Sequence, residues 1–323
     1  PPREGGTHPE VTAGEILGPA LLVASPGIDA PGGVWTPGTP PVADGAEARE
    51  RVRAHAAVGY DFIKVYNDLT REMYDAIIDE AAVQGIPVVG HVPRRVGFAR
   101  VLEARQLTLE HLIGFHLEAS TPYTGGTLDL PRIRQFAAQS AAGVAWHTPT
   151  TEVDGLSQAR AQAIRTGEEI RFVSPGMRQF FTDGFHHGLP AATAAREETN
   201  QEVMTREVHL AGGRLLLGTD AGFGWILPGY SIHEELGHFR HAGLTAWEAL
   251  RAGTSDAARS VGQAGMWGTV TTGARADLIL VPGNPLEDLE RLRTPSGVMV
   301  RGQWLSAGTL RQRLEAIRAS YGP

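Results

Sequence analysis

Fold class is the first thing the chain predicts: an α/β protein built on a parallel sheet covered by helices on both sides. Three observations carry this. Short, near-continuous apolar runs begin at residues 20, 62, 87, 107, 144 and 214, each bounded by Gly, Pro or polar turns. Stretches with helical spacing separate them, and uninterrupted apolar strands are what a sheet buried on both faces requires. After Ser260 the rhythm changes to short period-two runs with Gly/Pro/Asn turns, which predicts a small β module.

In chain order, the run 20–24 (ALLVA) reads as a buried strand within a Gly/Pro-rich opening, and 26–41 as a loop. Residues 44–59 place Ala48, Val52, His55 and Ala56 on one helical face, and Gly59 suits the C-terminal cap. FIKVY at 62–66 is the next strand. Thr70 caps a helix carrying Met73, Ile77, Ile78 and Ala81, stopped by Gly85 and Pro87. The unit repeats as strand 87–92, helix 97–105, strand 107–113, loop 120–131, helix 133–142 and strand 144–147. A mostly helical stretch, 156–210, holds His186 and His187 and precedes the strand 214–218, which ends in Gly-Thr-Asp-Ala-Gly. Ser231 with Glu234 and Thr245 with Glu248 both match the capping box. Residues 310–320 read as a terminal helix.

Composition narrows the class of function. The chain has 323 residues, 42% hydrophobic and 20% charged, with a formal charge of -7. That balance offers no basic stripe for phosphates, so nucleic acid is excluded as an expected partner. No apolar run approaches the roughly 18 residues that span a bilayer, so no membrane partner is expected and the protein reads as soluble, its compartment undecided. With no cysteine, any metal must be held by His, Asp, Glu or a modified Lys.

The chemistry gathers at strand ends. Lys64, His91, His111 and Asp220 fall at or near the carboxyl ends of four different predicted strands, the edge that carries active sites in parallel α/β barrels. Each alone has a plain account: a packed histidine, a turn aspartate, a lysine whose stem packs while its ammonium reaches water. Four metal-compatible side chains on four strands make coincidence the weaker account. Tyr66 shares the face of Lys64 by alternation, and His147, Trp225 and Tyr230 are further candidates to touch substrate, each with a packing or surface alternative. Glu110, next to His111, points to the opposite face of a regular strand and so makes a poor ligand.

At these residues the chain resembles the amidohydrolase superfamily of metal-dependent hydrolases, in its imidazolonepropionase-like group. The matching stretches are FIKVY, VVGHVP, LEHLIG, LLLGTDAG, the run from PGYSIHEEL to EALRAGT, GTVTTGARADLILVPGNPLEDL and GVMVRGQWL. The resemblance implies a TIM-like (β/α)8 barrel lacking its first two strands in this chain (1–261), followed by the C-terminal part of a small composite β-sandwich with a terminal helix (262–323). It implies Lys64 as a lysine that can be carboxylated to bridge metals, and His91, His111 and Asp220 as ligands. It implies further that Asp220 orients the attacking water and moves its proton. The cofactor implied is Zn2+, as one or two divalent metals. The substrate class implied is a small cyclic amide, acyl amino acid or dipeptide, and a homo-oligomer is implied as well. The family's His-x-His pair is absent, so an N-terminally truncated, inactive fragment or scaffold is a second expectation. A Schiff-base lyase using Lys64 is a third.

Overall fold

The computed structural model describes residues 15–33, 39–183 and 188–321; the opening 1–14, part of the 26–41 loop, and the pair His186 and His187 lie outside these. The chain forms two compact units.

The first unit (1–120, 129–148 and 210–214) alternates α1 (Gly45–Val58), β1 (Ile63–Val65), α2 (Arg71–Gln84), β2 (Val88–Gly90), α3 (Phe98–Glu103), β3 (Thr108–Glu110), α4 (Ile113–Ala119), α5 (Leu130–Ala142) and β4 (Trp146–Thr148). The sheet runs β1-β2-β3-β4 and then to β5 (Arg214–Leu215), in chain order. The pairs from β1 to β4 are parallel, with Lys64 opposite Val89, Val89 opposite Thr108, and Thr108 opposite Trp146. Residues 20–28 run along β1 and the residues before it, with two isolated parallel bridges, Ala24 to Phe62 and Ile28 to Val65, and a Lys64 N–H that donates to the Ser25 hydroxyl at 3.1 Å. Pro26, which has no N–H to donate and sits at a bend, breaks the ladder between them. The parallel α/β architecture predicted from rhythm is present.

Its helix ends follow local chemistry. Asp44 accepts the backbone N–H groups of Ala46 and Glu47 at the start of α1, and Gly59 closes it at φ 97°. Thr70 accepts the Met73 N–H at 3.2 Å, and Gly85 closes α2 at φ 67°. Thr70→Ala is expected to cost about 1 kcal/mol, read as a lowered urea midpoint with unchanged slope. The strand predicted over 107–113 is shorter than expected. His111 and Leu112 take left-handed φ of 60° and 49°, which ends β3 and turns the chain into α4 at Ile113.

The second unit (121–128, 149–209 and 215–323) contains α6 (Thr151–Asp154), α7 (Gln158–Thr166), α8 (Pro175–Asp183), α9 (Ala191–Leu210), α10 (Ser231–His241), α11 (Ala246–Ala252) and α12 (Ser255–Ser260). Strands β6 (Leu278–Leu280), β7 (Gly297–Val300) and β8 (Gln303–Ser306) form an antiparallel sheet in the order β8-β7-β6, and α13 (Ala307–Ser320) follows. The Thr245–Glu248 capping box forms as predicted. The Ser231–Glu234 box does not. Ser231 donates its hydroxyl to the Leu227 carbonyl at 3.0 Å and lies 3.1 Å from Thr219 Oγ1, while Glu234 pairs with Arg293 at 2.8 Å. Tertiary partners outcompete the local cap. Among the described residues no helix is long and apolar enough to cross a membrane.

Candidate active site

In the first unit the parallel register decides which side chains meet. Residues opposite one another in neighbouring strands share a face, so Lys64, Val89, Thr108 and Trp146 form one row, and Val65, Gly90, Leu109 and His147 another on the reverse. On the Lys64 face the Tyr66 ring lies 4.1 Å from that of His91, and the His91 and His111 rings meet edge to face at 4.9 Å. Lys64, His91, His111 and Tyr66 are therefore brought together.

Glu110 joins them, contrary to the expectation that it points away. Lys64 Nζ lies 3.6 Å from Glu110 Oε2, and Thr108 Oγ1 donates to Glu110 Oε1. The reason is the left-handed turn at His111: alternation holds through Thr108 and Glu110, then the positive φ swings the histidine back to their side. Left-handed backbone at a non-glycine residue costs about 1–2 kcal/mol, and such strain gathers at functional positions. Gly90 has a comparable role. Its φ is 126°, and a Cβ there would come within 2.3 Å of the Val65 carbonyl oxygen and 3.1 Å of Lys64 Cδ. Only glycine fits here, because the backbone of Val65 leaves no room for a Cβ and the Lys64 stem closes the space beyond it.

Both histidines are held neutral. Burial, with the nearby Lys64 and His111, keeps His91 well below the usual imidazole range. Burial, with Lys64 and His116, brings His111 down to about 3. His91 Nδ1 donates to the Asn67 amide oxygen at 2.8 Å, which leaves Nε2 as the nitrogen with a free lone pair. A partner that fixes tautomer and ring angle is what a metal-bound imidazole needs. Asn67 carries no motif of its own in the sequence, and its role shows only in the fold. Gln106 is another such residue. Its amide nitrogen donates to the carbonyls of Gly90, His91 and Thr108, and its oxygen accepts from Tyr74, so one buried side chain ties the ends of β2 and β3 together.

His147 is not part of this group. It occupies the reverse row, 0% exposed, with its ring 5.6 Å from Phe115 and 6.4 Å from Phe98. The packing account of this residue is the one its position fits.

The remaining candidates belong to the second unit. Asp220 lies on the exposed turn after β5 at φ 55°, its carbonyl accepting the Phe223 N–H at 3.3 Å. Its charge contributes, after burial and Glu197, to raising the carboxyl of Asp154 well above the usual range. Trp225, expected in a pocket-building loop, is instead 3% exposed and packs with Phe181, Ile226 and Leu227 in an apolar cluster. Tyr230 immediately precedes α10 and is 36% exposed.

Known proteins share this architecture. Over 304 residues the chain is 27% identical to ochratoxinase of Aspergillus niger, covering 88% of this chain and 53% of that protein, so it spans about half the length of the curated relative it matches. The solved structure of a bottromycin amidohydrolase aligns with a TM-score of 0.78 at 25% identity, over 97% of this chain and 71% of that one. A Xaa-Pro dipeptidase with methionine bound in its active site aligns at 0.63 and 18% identity, over 92% and 71%. The sequence model of the amidohydrolase family matches residues 13–305, nearly the whole chain, and the protein belongs to that family.

Proposed function

We propose that the protein hydrolyses a carbon–nitrogen bond of a small amide, an acyl amino acid, cyclic amide or dipeptide, with one or two divalent metals, Zn2+ foremost, held at the Lys64 face. The observation that carries the reading is the pair of neutral imidazoles, His91 and His111, meeting at 4.9 Å beside Lys64. The names of the amidohydrolase and dipeptidase neighbours support the reaction class.

The donors suit such a metal. In a chain without cysteine the group offers imidazole nitrogen and carboxylate oxygen. Glu110 Oε2 makes no hydrogen bond and has the Lys64 ammonium 3.6 Å away as its cationic neighbour, so it is an acceptor with capacity left for a metal. When bound, the metal supplies an activated water and a polarised carbonyl. The protein's own groups do the rest. His91, oriented by Asn67, and His111 provide lone pairs. Lys64 becomes an oxygen donor once its neutral amine takes up carbon dioxide and releases a proton. Glu110 pairs the unmodified ammonium, but beside a carbamate it is a like charge, so the modified lysine persists only with cationic charge close by. By the family resemblance the proton transfer from water to the leaving nitrogen is assigned to Asp220 and a substrate contact to Tyr230; on the Lys64 face itself, Tyr66 contacts substrate. Residues 262–323 we read as part of the family's β-sandwich.

The lyase alternative needs an acid/base partner for the Lys64 amine, whereas Lys64 keeps company with two neutral imidazoles suited to a metal. Zinc-loaded protein assayed on acyl amino acids, dipeptides and cyclic amides is expected to hydrolyse at least one class, to lose the activity with a chelator and to regain it with zinc. Failure to retain half an equivalent of zinc would sink the proposal, and trapping of a carbonyl substrate by borohydride would replace it with the lyase.

A further inference from the structure

The second unit carries a separate set of donors that the proposed reaction does not use. On α9, Glu198 and Glu202 lie four residues apart, and on α10, His238 and His241 lie three apart, so each pair shares a helix face. Glu202 Oε1 is 3.0 Å from Nδ1 of His238 and 3.0 Å from Nδ1 of His241, and one donor atom from each of the three lies within 4.8 Å of the others. Glu198 Oε1 stands 3.9 Å from His238 Nδ1.

We propose that Glu202, His238 and His241 form a cation site of the zinc class that clamps α9 to α10, with Glu198 placed to give a fourth ligand. The distances fit. Tetrahedral ligands at about 2.1 Å from zinc stand roughly 3.4 Å from one another, so the two carboxylate–imidazole edges need open by only a few tenths of an ångström. The surroundings fit too. The other nitrogen of His238, Nε2, faces buried Glu152 Oε2 at 3.6 Å, the outer carboxylate that ligating histidines commonly carry. His241 is 67% exposed in its side chain, which gives an ion access from solvent. A cavity of about 180 Å³ lined by Glu152, Arg160, Glu198 and His238 reaches the inner side of the group. Without a cation the same atoms make charge-assisted hydrogen bonds from imidazolium to carboxylate, the competing account.

The test titrates the full chain with Zn2+ and with Co2+, following melting temperature and the visible bands of tetrahedral cobalt. Wild type is expected to bind one more equivalent than His241→Ala, whose affinity at this site falls about 100-fold or more, and its zinc-induced rise in melting temperature is expected to shrink in the variant. His241 is exposed, so the variant should fold; Glu202→Gln, nearly isosteric, gives an independent second reading. His91→Asn should keep this equivalent, which separates the site from the proposed catalytic metals. Titrations of both variants that match wild type in stoichiometry, affinity and melting would overturn the site in favour of hydrogen bonds alone.

Discussion

Lys64→Ala is expected to lower kcat/KM for the best amide substrate by roughly 10³-fold, equivalent to about 4 kcal/mol of transition-state stabilisation, and millimolar acetate or formate is expected to restore part of it. Lys64 shares its face with His91 and His111, both neutral, and with Glu110 at 3.6 Å. If its contribution is the two-oxygen donor of a carbamate, a small free carboxylate can enter the space the truncation leaves and supply the same donor. If its contribution is the positive charge that pairs Glu110, a carboxylate adds repulsion and rescues nothing, whereas a small alkylamine would. If it is an amine nucleophile, carboxylates are equally useless. A companion variant, His91→Asn, should lose metal content and activity together. Equal activity of Lys64→Ala and wild type would remove the lysine from the mechanism.

His147 sets an acid limit on stability. Burial alone brings its imidazole down from 6.5 to about 4, because neither ring nitrogen has a hydrogen-bond partner and aromatic rings surround it. The unfolded chain therefore binds a proton in the interval where the folded chain does not. Stability is full above about pH 6.5, falls as the pH drops towards 4, and levels below that, with a total loss from this residue of about 3 kcal/mol. His147→Phe, which keeps an aromatic ring among Phe98, Phe115 and Phe136, is expected to remove this limb. Urea midpoints of both proteins between pH 4 and 7 measure the difference, so other titrating groups cancel. Parallel curves would show that the imidazole is not buried neutral.

Much of the fold was legible because its signals are local. Apolar runs bounded by turn residues mark β1 to β5, and Asp44, Thr70, Gly59, Gly85 and the Thr245–Glu248 box act within a few residues of themselves. The candidate site was legible to the same depth: Lys64, His91 and His111 stand out as polar residues at the ends of apolar strands, and the fold gathers all three. Ser231 shows where local signals fail, since its hydroxyl has a better partner in Leu227 and Thr219 than in its own helix. Trp225 shows the same limit: its loop is legible in the sequence, but its burial in an apolar cluster drawn from distant segments is not.

Periodicity, turn chemistry and residue type alone therefore settle that this is a parallel α/β protein with metal-compatible groups at its strand ends. Which face each group occupies was left to tertiary structure. Two left-handed residues, His111 and Leu112, reverse the alternation and set Glu110 and His111 on one side, and parallel register sends His147 to the other. Asn67 and Gln106 enter only through contacts across 24 residues and 15 or 16 residues of chain. Backbone conformation and long-range hydrogen bonding depend on what the rest of the chain packs against each residue, and no local pattern encodes that.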